Sequence, residues 1–207
     1  IPGDPVTILV DFTPFFPVKD AILTKLWETY KLDSISGGWD YLEPALFGYV
    51  AGKVIESFYE FNLSGLDRIV AHFHEWMTGA GILYLKEHVP QAGTIFTTHA
   101  TVLGRCIAGN GLPLYKDIAQ YNGDVMARQF GVVSKYSLER LSAQESDCFT
   151  TVSRITDQEC TQFLGKPVDV ITPNGFEDSF IPDSEELENI RQDARAQIFQ
   201  VTRALLN

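Results

Sequence analysis

Arg68-Ile-Val-Ala-His72 and Thr94-Ile-Phe-Thr-Thr98 are short apolar, β-branched runs separated by a helical pattern over residues 78–88. Continuous apolar runs are what strands covered on both faces show. Strand, helix, strand in that order calls for parallel pairing, because the helix carries the chain back to the start of the next strand. Working outward, the same reading places strands at Val6–Val10, Phe149–Val152 and Val168–Thr172. Val18, Ile22, Leu26 and Tyr30 recur at helical spacing, as do Leu46, Val50, Val54, Phe58 and Phe61. Phe47, Ala51, Ile55 and Tyr59 widen the second stripe, so that helix is expected to be buried on much of its circumference. Further helices are predicted over 127–145 and 155–164. The repetition predicts an α/β sandwich of doubly wound type.

The tail differs in kind. From Ser184 to Asn207, Leu187, Ile190, Ala194, Ile198, Val201 and Leu205 fall at helical spacing, with acids early and Arg203 late, as the helix dipole prefers. The domain reading is therefore 1–183 for the α/β unit and 184–207 for a helix whose apolar stripe needs a surface, in another part of the protein or another subunit.

Charge excludes some partners. With 16 Lys+Arg against 27 Asp+Glu, the net charge is −11 over 207 residues, which disfavours nucleic acid and an anionic bilayer alike. The excess is uneven: seven acids and one base lie between Glu177 and Asp193, whereas Val89–Lys116 contains no acid and carries Arg105 and Lys116. Cys106, Cys148 and Cys160 are odd in number and lack CxxC spacing, which points to a reducing compartment. No apolar run approaches the roughly 18 residues needed to span a bilayer. The start, Ile1-Pro-Gly-Asp-Pro5, lacks the features of a signal peptide, so a cytoplasmic protein is expected. The missing initiator Met suggests a piece of a longer chain.

In an open parallel sheet, ligands bind beyond the carboxyl ends of the strands. The first strand of the quoted pair runs into His72-Phe73-His74-Glu75-Trp76, the second into His99 and then Ala100 to Arg105. The two later strands run into Ser153-Arg154 and Pro173-Asn174-Gly175. Such an edge suits a polyhydroxylated or phosphate-bearing ligand. His72 and His74 are expected on opposite faces of their strand, so that at most one faces the cleft and the other is a core histidine. Glu75 is either a general acid or a helix N-terminal carboxylate, and Trp76 packing more than a sugar platform. Arg105 can fork onto phosphate oxygens, and Asn174-Gly175 can be simply a turn. His-x-His also opens some metal hydrolase sites, but only His88 and His99 remain as further histidines, and no metal or cofactor is assigned.

Val70-Ala-His-Phe-His-Glu-Trp76, Thr94 to Arg105, Phe149-Thr-Thr-Val-Ser-Arg-Ile-Thr156 and Ile171-Thr-Pro-Asn-Gly175, in that order, resemble the motifs of the eukaryotic-type glycogen synthases, glycosyltransferase family 3. The resemblance runs from about Val6 to Phe180 and is weakest at Leu32–Leu42 and Pro113–Arg128. It implies a Rossmann-like parallel sheet flanked by helices, one half of a GT-B glycosyltransferase. It implies transfer of glucose from a nucleotide-sugar donor, UDP-glucose before ADP-glucose, to the non-reducing end of glycogen or another α-1,4-glucan, with retention and without an essential metal. By resemblance, His99 and Arg105 are catalytic, His99 on the transferred glucose and Arg105 on the phosphate side. Asn174 holds the donor sugar, and His74 and Glu75 line the acceptor side. The family's glycine-rich donor loop and second domain match nothing in this sequence, so the chain alone is expected to be inactive, and a homo-oligomer is expected of the whole protein. The alternative is a non-catalytic glucan-binding or regulatory protein of the same fold.

Overall fold

Four parallel strands carry the observed architecture. They are β1 (Val70–His74), β2 (Gly93–Thr98), β3 (Cys148–Thr151) and β4 (Val170–Ile171), side by side in chain order. A computed structural model describes residues 5–64, 67–175 and 183–206. Before β1 come a 3-10 turn (Thr13–Val18), α1 (Lys19–Tyr30) and α2 (Trp39–Asn62). Between β1 and β2 lies α3 (Ala80–His88). Between β2 and β3 come α4 (Val102–Gly109), α5 (Leu114–Asp117), α6 (Gly123–Gln129) and α7 (Val133–Glu145). A helix α8 (Arg154–Glu159) running into a π turn (Cys160–Leu164) connects β3 to β4.

Parallel strands taken in order with right-handed crossovers receive every connecting helix on one face. Burial agrees. Along β1, Ala71 and Phe73 are buried while Val70, His72 and His74 are exposed. Phe96 of β2 and Phe149 of β3 continue the buried face and stack with ring centroids 5.7 Å apart. Against them pack Ile82 and Leu85 of α3, Leu103 and Ile107 of α4, Ala143 of α7, and Phe163 and Leu164. A second core joins Leu26, Tyr41, Ala45, Ala80, Leu83 and Leu138, tying α1 and α2 to α3 and α7. The α/β fold with crossover helices is as expected, but the strand-order reversal that makes a sheet doubly wound does not occur among the described residues.

Other expectations need correcting. Val6–Val10 is not a strand: it is irregular, with Val6 and Leu9 almost fully exposed. Apolar β-branched composition makes a strand only where a neighbour supplies a hydrogen-bonding edge, and among the described residues no ladder partner meets this run. The second helix is buried along Tyr41, Ala45, Leu46, Gly48, Val50 and Gly52 only, and Phe58 and Phe61 face outward. The helix expected over 127–145 is two helices, broken at Phe130–Val132, where Gly131 turns the chain at φ 67. A glycine adopts that left-handed conformation without steric cost. The helix at 102–109 lies in a stretch with no helix assigned from pattern.

The chain forms two compact units, Ile1–Pro173 and Asn174–Asn207. The second is α9 (Ser184–Leu206) with the segment before it, and its Leu187, Ile190, Ile198, Val201 and Leu205 are all about half exposed or more. The boundary expected at 183–184 adjoins residues 176–182, which lie outside the described ones. No helix among the described residues is long and apolar enough to cross a membrane.

Candidate active site

The carboxyl ends of β1 and β2 converge on one carboxylate. β1 ends at His74, and Glu75 then takes φ 63 and ψ 160, a conformation that non-glycine residues seldom occupy. Its neighbours hold it there. The Glu75 amide donates to the Thr97 carbonyl at 2.9 Å, the Thr78 amide donates to the Glu75 carbonyl at 3.1 Å, and the Thr78 hydroxyl donates to the His74 carbonyl at 2.8 Å. The turn aims the Glu75 side chain across the strand ends, where Oε1 accepts from the His99 amide at 2.9 Å. Glu75 is thus not a cap on its own following helix but a strut between two strand ends. Arg105, one turn into α4, brings Nη2 to 3.9 Å from the same oxygen, and its side chain stays 64% exposed. The guanidinium is therefore oriented by charge yet open to a ligand.

Three imidazoles line the same edge. His74 Nδ1 and His99 Nε2 are 3.3 Å apart, and the rings of His72 and His74 approach to 4.1 Å between centroids. His72 and His74 therefore share a face, contrary to expectation. Side chains alternate with a period of two, so residues two apart point the same way. His72 is exposed rather than a core residue, and its Nε2 meets the Thr97 hydroxyl at 2.7 Å, which meets that of Thr150 at 2.6 Å. Burial holds the His74 pKa below its ordinary value, and the neighbouring His72 and His99 lower it further. His74 is neutral at neutral pH and can exchange a hydrogen bond with His99.

The segment joining His99 to Arg105 rests on two buried carboxyl groups that the sequence pattern did not single out. Glu139 of α7 accepts from the Val102 amide at 2.9 Å and lies 3.1 Å from the Thr98 hydroxyl. Glu159 of α8 accepts from the Thr101 hydroxyl at 2.8 Å and from Tyr115 at 2.7 Å. Thr101 in turn caps α4, its hydroxyl accepting from the Gly104 amide at 2.9 Å. The Val102 and Gly104 amides at the head of α4 are thus spent on the protein's own side chains, and Arg105 is the exposed charge offered here to an anion. The available signal was an acid on an otherwise buried helix face: Glu139 lies beside Leu138, Ser142 and Ala143.

Asn174 opens the second unit, just past β4, and is exposed. Arg154 is exposed at the start of α8, whose cap is Ser153. His88 stacks on Tyr84 with centroids 4.2 Å apart, a packing role at the end of α3. Trp76 stacks on Tyr41 and carries Lys135 over its ring, so it is packing. No group of three or more His, Cys, Asp or Glu side chains is disposed to hold a metal ion among the described residues. A separate concavity of about 420 Å³, lined by Leu23, Trp27, Leu32, Ile35 and Leu42, contains none of the strand-end residues. The strand-end side chains, with Arg105 exposed, form an open wall.

The sequence has relatives. The profile of the family described as glycogen synthase matches residues 1–206. The chain belongs to the glycogen synthase family. It is 38% identical over 148 residues to the glycogen [starch] synthase of Dictyostelium discoideum, covering 72% of this chain and 17% of that protein. It is 30% identical over 203 residues to that of Neurospora crassa and 31% identical over 203 residues to that of Caenorhabditis elegans. Those two alignments cover 98% of this chain and 28% and 30% of the respective proteins. The chain thus spans under a third of the length of these glycogen synthases. Within it lies a Rossmann-like half of the family's GT-B architecture.

Proposed function

We propose that the protein carrying this chain transfers glucose from a nucleotide sugar, UDP-glucose before ADP-glucose, to the non-reducing end of an α-1,4-glucan with retention of configuration. This chain supplies one wall of the cleft. The observation that carries the reading is the convergence of Glu75, His99 and Arg105 across two adjoining strand ends, with the Glu75 carboxylate bonded to the His99 amide and 3.9 Å from Arg105.

In the transfer the bond from the anomeric carbon to the diphosphate breaks and one to an acceptor hydroxyl forms. Negative charge grows on the departing phosphate, and stabilising charge where it develops is usually the largest contribution to catalysis. Arg105 is exposed and available for that oxygen. His99, fixed through its own amide, presents its ring to the transferred glucose, and Asn174 hydrogen-bonds the donor sugar. His74 and Glu75 line the acceptor side. Arg105, the one cation assigned to the phosphate side, is too little for a diphosphate, so this chain by itself is expected to be inactive. The outward apolar stripe of α9 is assigned to self-association, which light scattering of the whole protein reads directly; a monomer would refute it.

The reaction is tested by glucosyl incorporation into glycogen by the whole protein. His99→Ala and Arg105→Ala are each expected to lower kcat by about 10²–10³, the loss typical of removing one transition-state donor. An active enzyme indifferent to both substitutions overturns the site.

A further inference from the structure

Glu139 is fully buried, and its hydrogen bonds pose a counting problem. Oε2 accepts from the Val102 amide at 2.9 Å. Oε1 lies 3.1 Å from the Thr98 hydroxyl oxygen, which also lies 3.3 Å from the Ala100 carbonyl oxygen. A hydroxyl has one hydrogen to give. If Glu139 is a carboxylate, Thr98 can serve only one of the two acceptors. If it is a neutral acid, Oε1–H donates to Thr98, Thr98 donates on to Ala100, and all are satisfied.

The surroundings favour the neutral acid. The charges that act on Glu139 are Glu75 from the end of β1 and Glu159 from α8, with Cys160, Cys106 and Tyr136 also nearby; Lys135 and Arg140 of its own helix reach Cys106 and Tyr136 but are paired with Asp40 and Asp124. No cation acts on Glu139 itself among the described residues. Burial pushes Glu139 up to about 8, and Glu75 and Glu159 add to the rise against the bonds from Val102 and Thr98. Unlike Glu75, which Arg105 approaches, Glu139 is fully buried and bonded only to the segment that carries His99.

We infer that Glu139 is a positioning residue for glucosyl transfer, held as a neutral carboxylic acid that pins both ends of the Thr98–Val102 segment and thereby places His99 and Arg105. As regards the reaction this rests on the function proposed above; the pinning does not. The consequence is an alkaline limit: when Glu139 loses its proton the chain of donors breaks and the segment loosens. Misplacing a catalytic group by about 1 Å can cost about 10²-fold in rate.

The test combines hydrogen exchange over residues 98–106 with kcat and donor KM, on the whole protein, across neutral and alkaline pH. In the parent, protection of this segment and kcat are expected to fall together as pH rises through the Glu139 titration, with KM moving less. Glu139→Gln, whose amide can donate to Thr98 while its oxygen accepts from Val102, should keep the segment protected at alkaline pH. Glu139→Leu, similar in size but without those bonds, should lose protection and about tenfold or more in kcat at every pH, a loss of about 1.4 kcal/mol in barrier terms. If Glu139→Leu does not fold, parent against Glu139→Gln still decides. The inference is overturned if Glu139→Gln behaves as Glu139→Leu does, which would make the charge essential. It is equally overturned if parent and Glu139→Gln lose protection at the same pH. Exchange is read without activity, so a protein that pins the segment as described but transfers no glucose refutes the proposed reaction and leaves the pinning standing.

Discussion

Gly104→Ala should cost far more than its exposed-helix equivalent, because a carboxylate occupies the space where the methyl would go. A Cβ at Gly104 would lie 2.0 Å from Glu159 Oε2, 2.7 Å from its Cδ and 2.8 Å from Thr101 Oγ1. Restoring ordinary contact means moving the carboxylate by about 1.5 Å, and this one is not free to swing away. Glu159 is 3% exposed and accepts from Thr101 and Tyr115 at 2.8 and 2.7 Å. Hydrogen bonds to a charged group contribute about 1.5–3 kcal/mol each. Losing both of them, offset by the ~1 kcal/mol that alanine gains over glycine inside a helix, leaves a net destabilisation of about 2–5 kcal/mol. Denaturant unfolding of Gly104→Ala, Glu159→Ala and the double variant measures it. Truncating Glu159 removes the two closest contacts and leaves only the one with Thr101 Oγ1, so the alanine should cost much less in that background, giving a coupling of about 2 kcal/mol or more. A Gly104→Ala variant within about 0.5 kcal/mol of the parent, or the same cost in both backgrounds, refutes the packing reasoning. Because Thr101 caps α4, the variant should also lose glucosyl transfer.

Three further outcomes follow from the same geometry. Glu75→Gly and Glu75→Ala both lose the bond to the His99 amide, so their difference isolates the backbone at φ 63. Calorimetry should find the glycine variant more stable by about 1–2 kcal/mol, and equal stabilities would deny the strain. Burial, with His72 and His99 nearby, keeps the His74 pKa below its unfolded value of about 6.5. The native state then binds fewer protons than the unfolded one, so the contribution of His74 is present above about pH 6.5 and is lost as pH falls toward the folded pKa. His74→Gln should flatten stability against pH in that window, and an unchanged slope would contradict it. Phe149→Ala, at a fully buried ring stacked on Phe96, should cost about 3–5 kcal/mol in chemical denaturation; a loss under about 1 kcal/mol would mean that the core refills.

Local pattern located the paired strands because each run is short, β-branched and bounded by polar residues. The same pattern at Val6–Val10 has no ladder among the described residues, since composition records the wish for a partner and not its presence. At 127–145 the apolar spacing continues through Gly131, and only the backbone shows the chain turning there. The helix at Val102–Gly109 is two turns long and begins at a threonine cap, too short for periodicity to register. His72 and His74 show the cost of misapplying a period: spacing of two means one face, and the imidazole row runs along it.

By itself the sequence determined that polar residues follow apolar strands in parallel order, and hence that His74, Glu75, His99 and Arg105 stand at one sheet edge. The period of a strand and the direction of a crossover depend on neighbours along the chain, and those are written in order. Only the tertiary structure decided what holds that edge. Glu139 and Glu159 look like ordinary acids on helix faces, yet they meet Val102 and Thr101 across 37 and 58 residues of chain. Their burial, and the turn that carries Glu75 onto the His99 amide, arise from packing between elements. No pattern of successive residues encodes which helix face will lie beneath which strand end.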